Sequence, residues 1–185
     1  DKNSLLLQAL MQKQGQAEVF ASIEKVYGAP PLLSQQIQRQ RVDALLTYWH
    51  YAARMQADGY SVLMNGTDIL LGLGIQVSVP NIGYVFDRSW ANNNKAAIQD
   101  FLASTRSIKN TLCVDDSAWQ RIKSLMRAKT VQVSQLLRLK YCAGRVQEWG
   151  EKEQQAAAEI YRYLKKLSAK RLTGDAETIQ PGTFW

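Results

Sequence analysis

Histidine occurs once in this chain of 185 residues, cysteine twice and proline only four times. One histidine and two cysteines without CxxC spacing form no recognisable metal-ligand set or redox motif, so neither a metal nor a cofactor is expected. No apolar run approaches the ~20 residues needed to cross a bilayer, and no signal peptide is visible. The chain opens at Asp1 directly on a helical pattern without a starting Met, as a processed or truncated polypeptide would. A GxSxG elbow, a phosphate-cradling glycine loop, HExxH and a paired Cys/His are all missing. Gly72-Leu73-Gly74 is too short for a dinucleotide fingerprint. No catalysis is expected from these motifs.

What is present is an ordinary globular composition, 46% hydrophobic and 21% charged, with a formal net charge of +7. That balance permits nucleic-acid binding. The basic residues are scattered, however, and their densest group (Lys165, Lys166, Lys170, Arg171) has the spacing of a solvated helix face. No nucleic-acid partner is expected. Cys113 and Cys142 fall on separate predicted helices; a disulfide in an oxidising compartment and two free buried thiols both remain open.

Apolar spacing predicts a helix over Asp1–Gln14, a loosely alternating strand over Glu18–Tyr27, and a short helix over Pro31–Gln40. The run Val42-Asp43-Ala44-Leu45-Leu46-Thr47 then reads as a buried strand that ends in four ring-bearing residues, Tyr48, Trp49, His50 and Tyr51. A helix over His50–Ala57, closed by Gly59, leads to a strand at Tyr60–Met64 and a turn at Asn65–Asp68. Ile69–Gly74 is short, helical or irregular. Val77–Phe86, carrying Pro80, reads as an edge or crossover strand. From Ser89 onward only helical periods appear, ending in a long helix over Glu151–Leu167. The fold class expected is therefore α/β: a parallel-rich sheet in the first half and a helical C-terminal half.

In an open α/β sheet, ligands sit beyond the carboxyl ends of the strands, which is where Tyr48, Trp49 and His50 would stand. Rings bring apolar area with polar handles and suit a flat or anionic ligand. Against this, alternate members of a strand cannot all face one cleft, and a lone histidine is more often structural than functional. Gly28, Ala29, Pro30 and Pro31 enter a helix whose N-terminal amides suit an anion; a rigid loop is an equal reading. Asn3 and Ser4 have the same geometry at the first helix, with ordinary capping the equal alternative. Tyr84 could line the mouth of the pocket together with Trp90, although core or hinge packing is the weightier reading.

The ordered set Asp1-Lys2-Asn3-Ser4-Leu5-Leu6-Leu7, Gly28-Ala29-Pro30-Pro31-Leu32-Leu33, Val42-Asp43-Ala44-Leu45-Leu46-Thr47-Tyr48-Trp49 and Pro181-Gly182-Thr183-Phe184-Trp185 resembles bacterial ABC-transporter substrate-binding proteins of the nitrate/sulfonate/bicarbonate/taurine type. The resemblance implies a type II periplasmic binding fold, of which this chain looks like the C-terminal part, with the first lobe's sheet largely missing. It implies a second-lobe α/β segment over 1–76, a hinge or crossover strand over 77–88, and a helical segment over 89–185 that packs on the absent lobe. It further implies a periplasmic receptor, soluble or lipid-anchored through a missing N-terminus and monomeric when complete. Such a receptor closes a hinge over a small polar or anionic solute and delivers it to an ABC permease. The alternative is a small-molecule enzyme on the same fold, similar to the thiamine-pyrimidine synthase, using His50. That enzyme's cysteine-rich run is absent here.

Overall fold

The computed structural model describes residues 1–184, so Trp185 of the closing run lies outside the described residues. It is all-helical: eleven helices and no strand are found among the described residues. They are α1 (Lys2–Lys13), α2 (Ala17–Ser22), α3 (Pro30–Gln38), α4 (Trp49–Ala57), α5 (Gly66–Leu73), α6 (Arg88–Asn93), α7 (Lys95–Val114), α8 (Asp116–Arg121), α9 (Lys123–Met126), α10 (Val131–Ala143) and α11 (Glu151–Ser168). The expectation of an α/β fold with a parallel-rich sheet, and with it the type II periplasmic-binding architecture, is corrected by this finding.

The reason lies in what each apolar run can pair with. A strand satisfies its N–H and C=O groups only through a neighbouring strand, and short apolar runs carry no period that separates strand from helix or coil. The first half of Glu18–Tyr27 coils into α2 instead. Val42–Thr47, Tyr60–Met64 and Val77–Phe86 are neither helix nor strand. Their apolar side chains find little cover: Leu63 is 88% exposed and Val85 97%. The expected crossover strand is thus an irregular connection. The expected turn Asn65–Asp68 is the start of α5, because Asn65 caps it.

Contacts divide the chain into two compact units, each assembled from segments distant in sequence. The first comprises Asp1–Tyr48, Val62–Val79 and Val146–Trp185. Its core is a three-helix contact in which α1 offers Leu6, Ala9 and Leu10, α5 offers Ile69 and Leu73, and α11 offers Ala156, Ile160 and Leu164. The spacing on α11 is i, i+4, i+8, one stripe of a helix facing its partners. Each leucine buried this fully contributes roughly 1.5–3 kcal/mol. Acidic Glu151 and Glu153 in the first turn of α11 and basic Lys165 and Lys166 in its last complement the helix dipole. The Glu153 carboxylate also accepts the Gly150 N–H at 2.7 Å. At the far end of α5, Gly74 takes a left-handed conformation, and the Leu73 carbonyl accepts Lys13 Nζ at 2.8 Å and the Tyr163 hydroxyl at 3.4 Å.

The basic residues near Lys165 do not form a free cationic face. Lys165 donates to the Ala176 carbonyl at 2.8 Å and pairs with Glu177, while Lys170 pairs with Asp175 at 2.7 Å.

The second unit comprises Trp49–Ser61 and Pro80–Arg145. Here α4 packs on α10, with Ala53, Trp119, Val133 and Leu137 as the buried core. The Trp119 indole N–H donates to Ser134 Oγ at 3.1 Å inside it. A disulfide joins Cys113 of α7 to Cys142 of α10, so the question left open by the sequence is answered by pairing. Arg138 of α10 reinforces the same junction. Its guanidinium donates to the Leu112 carbonyl at 3.1 Å and the Cys113 carbonyl at 3.0 Å, and pairs with Asp116. These are the last carbonyls of α7, which have no acceptor role inside their own helix.

Candidate functional site: an aromatic and basic face

Trp49 and His50 open α4, and Tyr84 lies in the irregular connection before α6; all three belong to the second unit. Trp49 is 49% exposed and Tyr84 50%. What brings them towards one another is Tyr141 of α10. Its ring lies 6.5 Å from that of Trp49, centroid to centroid, and 5.9 Å from that of the buried Trp119. Burial pushes the Tyr141 phenol up, with Arg145 pulling against it and the Tyr84 phenol adding to the rise. Tyr84 is therefore within electrostatic reach of Tyr141. Tyr84 in turn meets Phe101 of α7 edge to face at 4.9 Å.

Cations accompany these rings. Lys109 Nζ lies 5.6 Å from the centre of the Tyr84 ring, within the range of a cation–π attraction. Arg145 is steered by two acceptors, the Cys142 carbonyl at 3.3 Å and the Asn110 side chain. Arg54 faces inward instead, donating to the His50 carbonyl at 2.5 Å and the Met126 carbonyl at 2.7 Å. The result is two groups of half-exposed rings in the second unit, Trp49 against Tyr141 and Tyr84 against Phe101 with Lys109 over it, coupled through the charges that act on the Tyr141 phenol.

His50 is half-buried, its ring 5.5 Å from Trp49 and 4.6 Å from Tyr51. Desolvation, and then the charge of Arg54, hold its imidazole below the ordinary histidine range. Both effects favour its neutral form, a flat polar ring.

The remaining sequence candidates lie in the first unit. Tyr48 is its last residue before the chain enters the second unit, and is half-exposed. Asn3 and Ser4 lie in the first turn of α1, where their N–H groups donate to the Asp1 carboxylate at 2.6 and 3.4 Å. The helix start thus carries its own anion. Gly28 and Ala29 precede α3, whose first two residues are Pro30 and Pro31; no side chain caps this helix. The Leu33 N–H is already bonded to the Ala29 carbonyl at 3.0 Å, which leaves few donors for a ligand.

From Ser89 onward the sequence shows only helical periods, which do not single out Phe101, Tyr141, Lys109 or Arg145. The one signal available was the cysteine pair: joining 113 to 142 brings the end of α7, which carries Lys109 one turn before Cys113, to the end of α10, which carries Tyr141. Among the described residues no group of three His, Cys, Asp or Glu side chains could hold a metal ion. No helix of the described residues is long and apolar enough to cross a membrane. No family model matches the chain, and none of the curated proteins compared with it matches either.

Proposed function

We propose that the chain is a solute-binding receptor that captures a small anionic, ring-bearing or planar solute and breaks no bond in it. The observation that carries this reading is the occurrence, in one unit, of the half-exposed rings Trp49, Tyr84 and Phe101 with Lys109 over the Tyr84 ring and a hydrogen-bonded Arg145. A planar anion stacks on Trp49 or Tyr84, and its negative charge meets Lys109 and Arg145. Such stacking adds about 0.5–1.5 kcal/mol beyond area burial for each ring pair. The neutral His50 fits as a wall or hydrogen-bonding partner rather than as a counter-charge.

The partner in this proposal, a membrane permease to which the loaded form delivers its solute, rests on the sequence resemblance alone, since the all-helical fold does not supply it. A periplasmic setting accords with the Cys113–Cys142 bridge, because disulfides persist in oxidising compartments.

The test is calorimetric titration of the intact protein with taurine and other sulfonates, nitrate, bicarbonate and pyrimidines, read alongside tryptophan fluorescence. One of these binds and changes the emission, and Trp49→Ala and Tyr84→Ala each weaken it tenfold or more. Binding that both variants leave untouched overturns the proposal. So does conversion of any of these compounds that is lost in His50→Ala.

A further inference from the structure

We infer that the first unit carries a separate binding cleft for an acidic amino acid, between α11 and the segment that follows α5. The cleft is a solvent-open groove of about 490 Å³, with Lys152 and Arg162 exposed at its rim and Glu159 half-buried. One wall is the short run Gly74–Val77, with Ile75 buried beneath it and Gln76 exposed. That wall is fixed in place, since the Leu73 carbonyl at its root is held by both Lys13 and Tyr163. The other wall is one face of α11, where Ala156 and Ala158 leave the space and Lys152, Glu159 and Arg162 border it.

The charges decide the ligand. Lys152, Glu159 and Arg162 enter no ion pair among the described residues, although Glu159 and Arg162 are three residues apart on one helix face. Two cations and one carboxylate leave the cleft one positive charge in excess. An α-amino acid places its ammonium and carboxylate on one carbon, which matches the neighbouring Glu159 and Arg162. A second carboxylate balances the remaining charge at Lys152. Glutamate and aspartate have that charge pattern, with two carboxylates and one ammonium. Lys152 stands about 10 Å along the helix axis from Glu159, and its long side chain spans part of that interval.

Calorimetry of the intact protein with L-glutamate, L-aspartate, L-glutamine and acetate tests this. Glutamate or aspartate binds at least tenfold more tightly than glutamine, and acetate is far weaker than either. Glu159→Gln and Arg162→Ala each lower the affinity at least tenfold, and Lys152→Ala makes glutamate and glutamine equal. Ala158→Trp fills the cleft and abolishes binding while the circular dichroism stays helical. Lack of binding by all four compounds overturns the inference, as does binding that Glu159→Gln and Arg162→Ala leave unchanged. Trp49→Ala leaves this binding unaltered, so the outcome is independent of the aromatic face.

Discussion

Cys113, one residue before the end of α7, is bonded to Cys142, one residue before the end of α10, with their Cα atoms 5.8 Å apart. The bridge closes a loop over a sequence separation of 29 residues. Within that loop lie α8, α9 and most of α10. Chain-entropy arguments for a loop of this length give roughly 3–4 kcal/mol of stabilisation. Replacing both cysteines with serine should lower the unfolding free energy by about that amount. Urea titration of the two proteins measures it; coincident midpoints would show that Arg138 and core packing hold the junction without the bond.

Gly72 of α5 sits against the fully buried Leu10 of α1. A Cβ placed on Gly72 would lie 2.5 Å from Leu10 Cδ1 and 3.3 Å from Cδ2. Alanine in a helix interior gains about 1 kcal/mol over glycine in propensity. Overpacking a core typically costs about 1–3 kcal/mol, so Gly72→Ala should destabilise the protein on balance. In a Leu10→Ala background the sign should reverse, because the added methyl then fills space instead of colliding. A thermal melt of the two single variants and the double variant decides the point. Additive losses would mean that the two residues are not in contact.

The long helices were legible because their sequences carry both a spacing and a stop. Leu6 and Leu10 mark α1, and Ala156, Ile160 and Leu164 mark α11. Glu151 and Glu153 at one end of α11 and Lys165 and Lys166 at the other mark its polarity. The sheet was misread for a physical reason. Val42–Thr47 and Tyr60–Met64 are apolar, but a strand exists only through a neighbour, and pairing is not written in any one segment. Asn65 could have been read as a cap, with Asp68 three residues on accepting the Asn65 N–H in return. At the candidate site, ring density picked out Trp49 and His50, and Tyr84 was named only for its place on the expected crossover strand. Lys109 over Tyr84, and Arg145 bonded to Asn110 of α7, depend on how α7 packs on its neighbours, a tertiary fact that no local pattern carries.

Acid should weaken the fold in two stages. The folded protein holds His50 below its ordinary value of about 6.5. The unfolded chain therefore binds more protons in this range, and stability rises with pH. His50's contribution is complete above about pH 6.5 and is lost as pH falls through the folded value. Asp115 behaves likewise at lower pH. The Ser117 hydroxyl, then the Ala118 and Ser117 N–H groups, hold its carboxyl below the usual carboxylate range. Its share is present above about pH 4 and disappears as the carboxylate protonates. His50→Gln should flatten the upper stage and leave the lower one; Asp115→Asn should do the reverse. Chemical denaturation between pH 3 and 8 reads both, and a His50→Gln profile that keeps its upper step would sink the assignment.

Trp119 and Ser134 are both buried, and the indole N–H donates to the serine oxygen at 3.1 Å. Removing only the acceptor strands a buried donor, which costs about 1–3 kcal/mol. Ser134→Ala should therefore lower stability by that order, more than the loss of one small side chain from a core would suggest. Trp119→Phe removes the donor and leaves a cavity, and large-to-small aromatic changes of this kind carry their own penalty. The informative quantity is the coupling between the two. In the double variant no polar group is left unpaired, so Ser134→Ala should cost much less once Trp119 is phenylalanine. The same comparison has a second readout at the aromatic face, because Trp119 backs Tyr141, which backs Trp49. A shift between the emission of Ser134→Ala and that of Ser134→Ala/Trp49→Phe, different from the shift between wild type and Trp49→Phe, would show that the core hydrogen bond sets the position of the exposed ring. An unchanged spectrum together with a zero coupling term would mean that the bond contributes to neither stability nor placement.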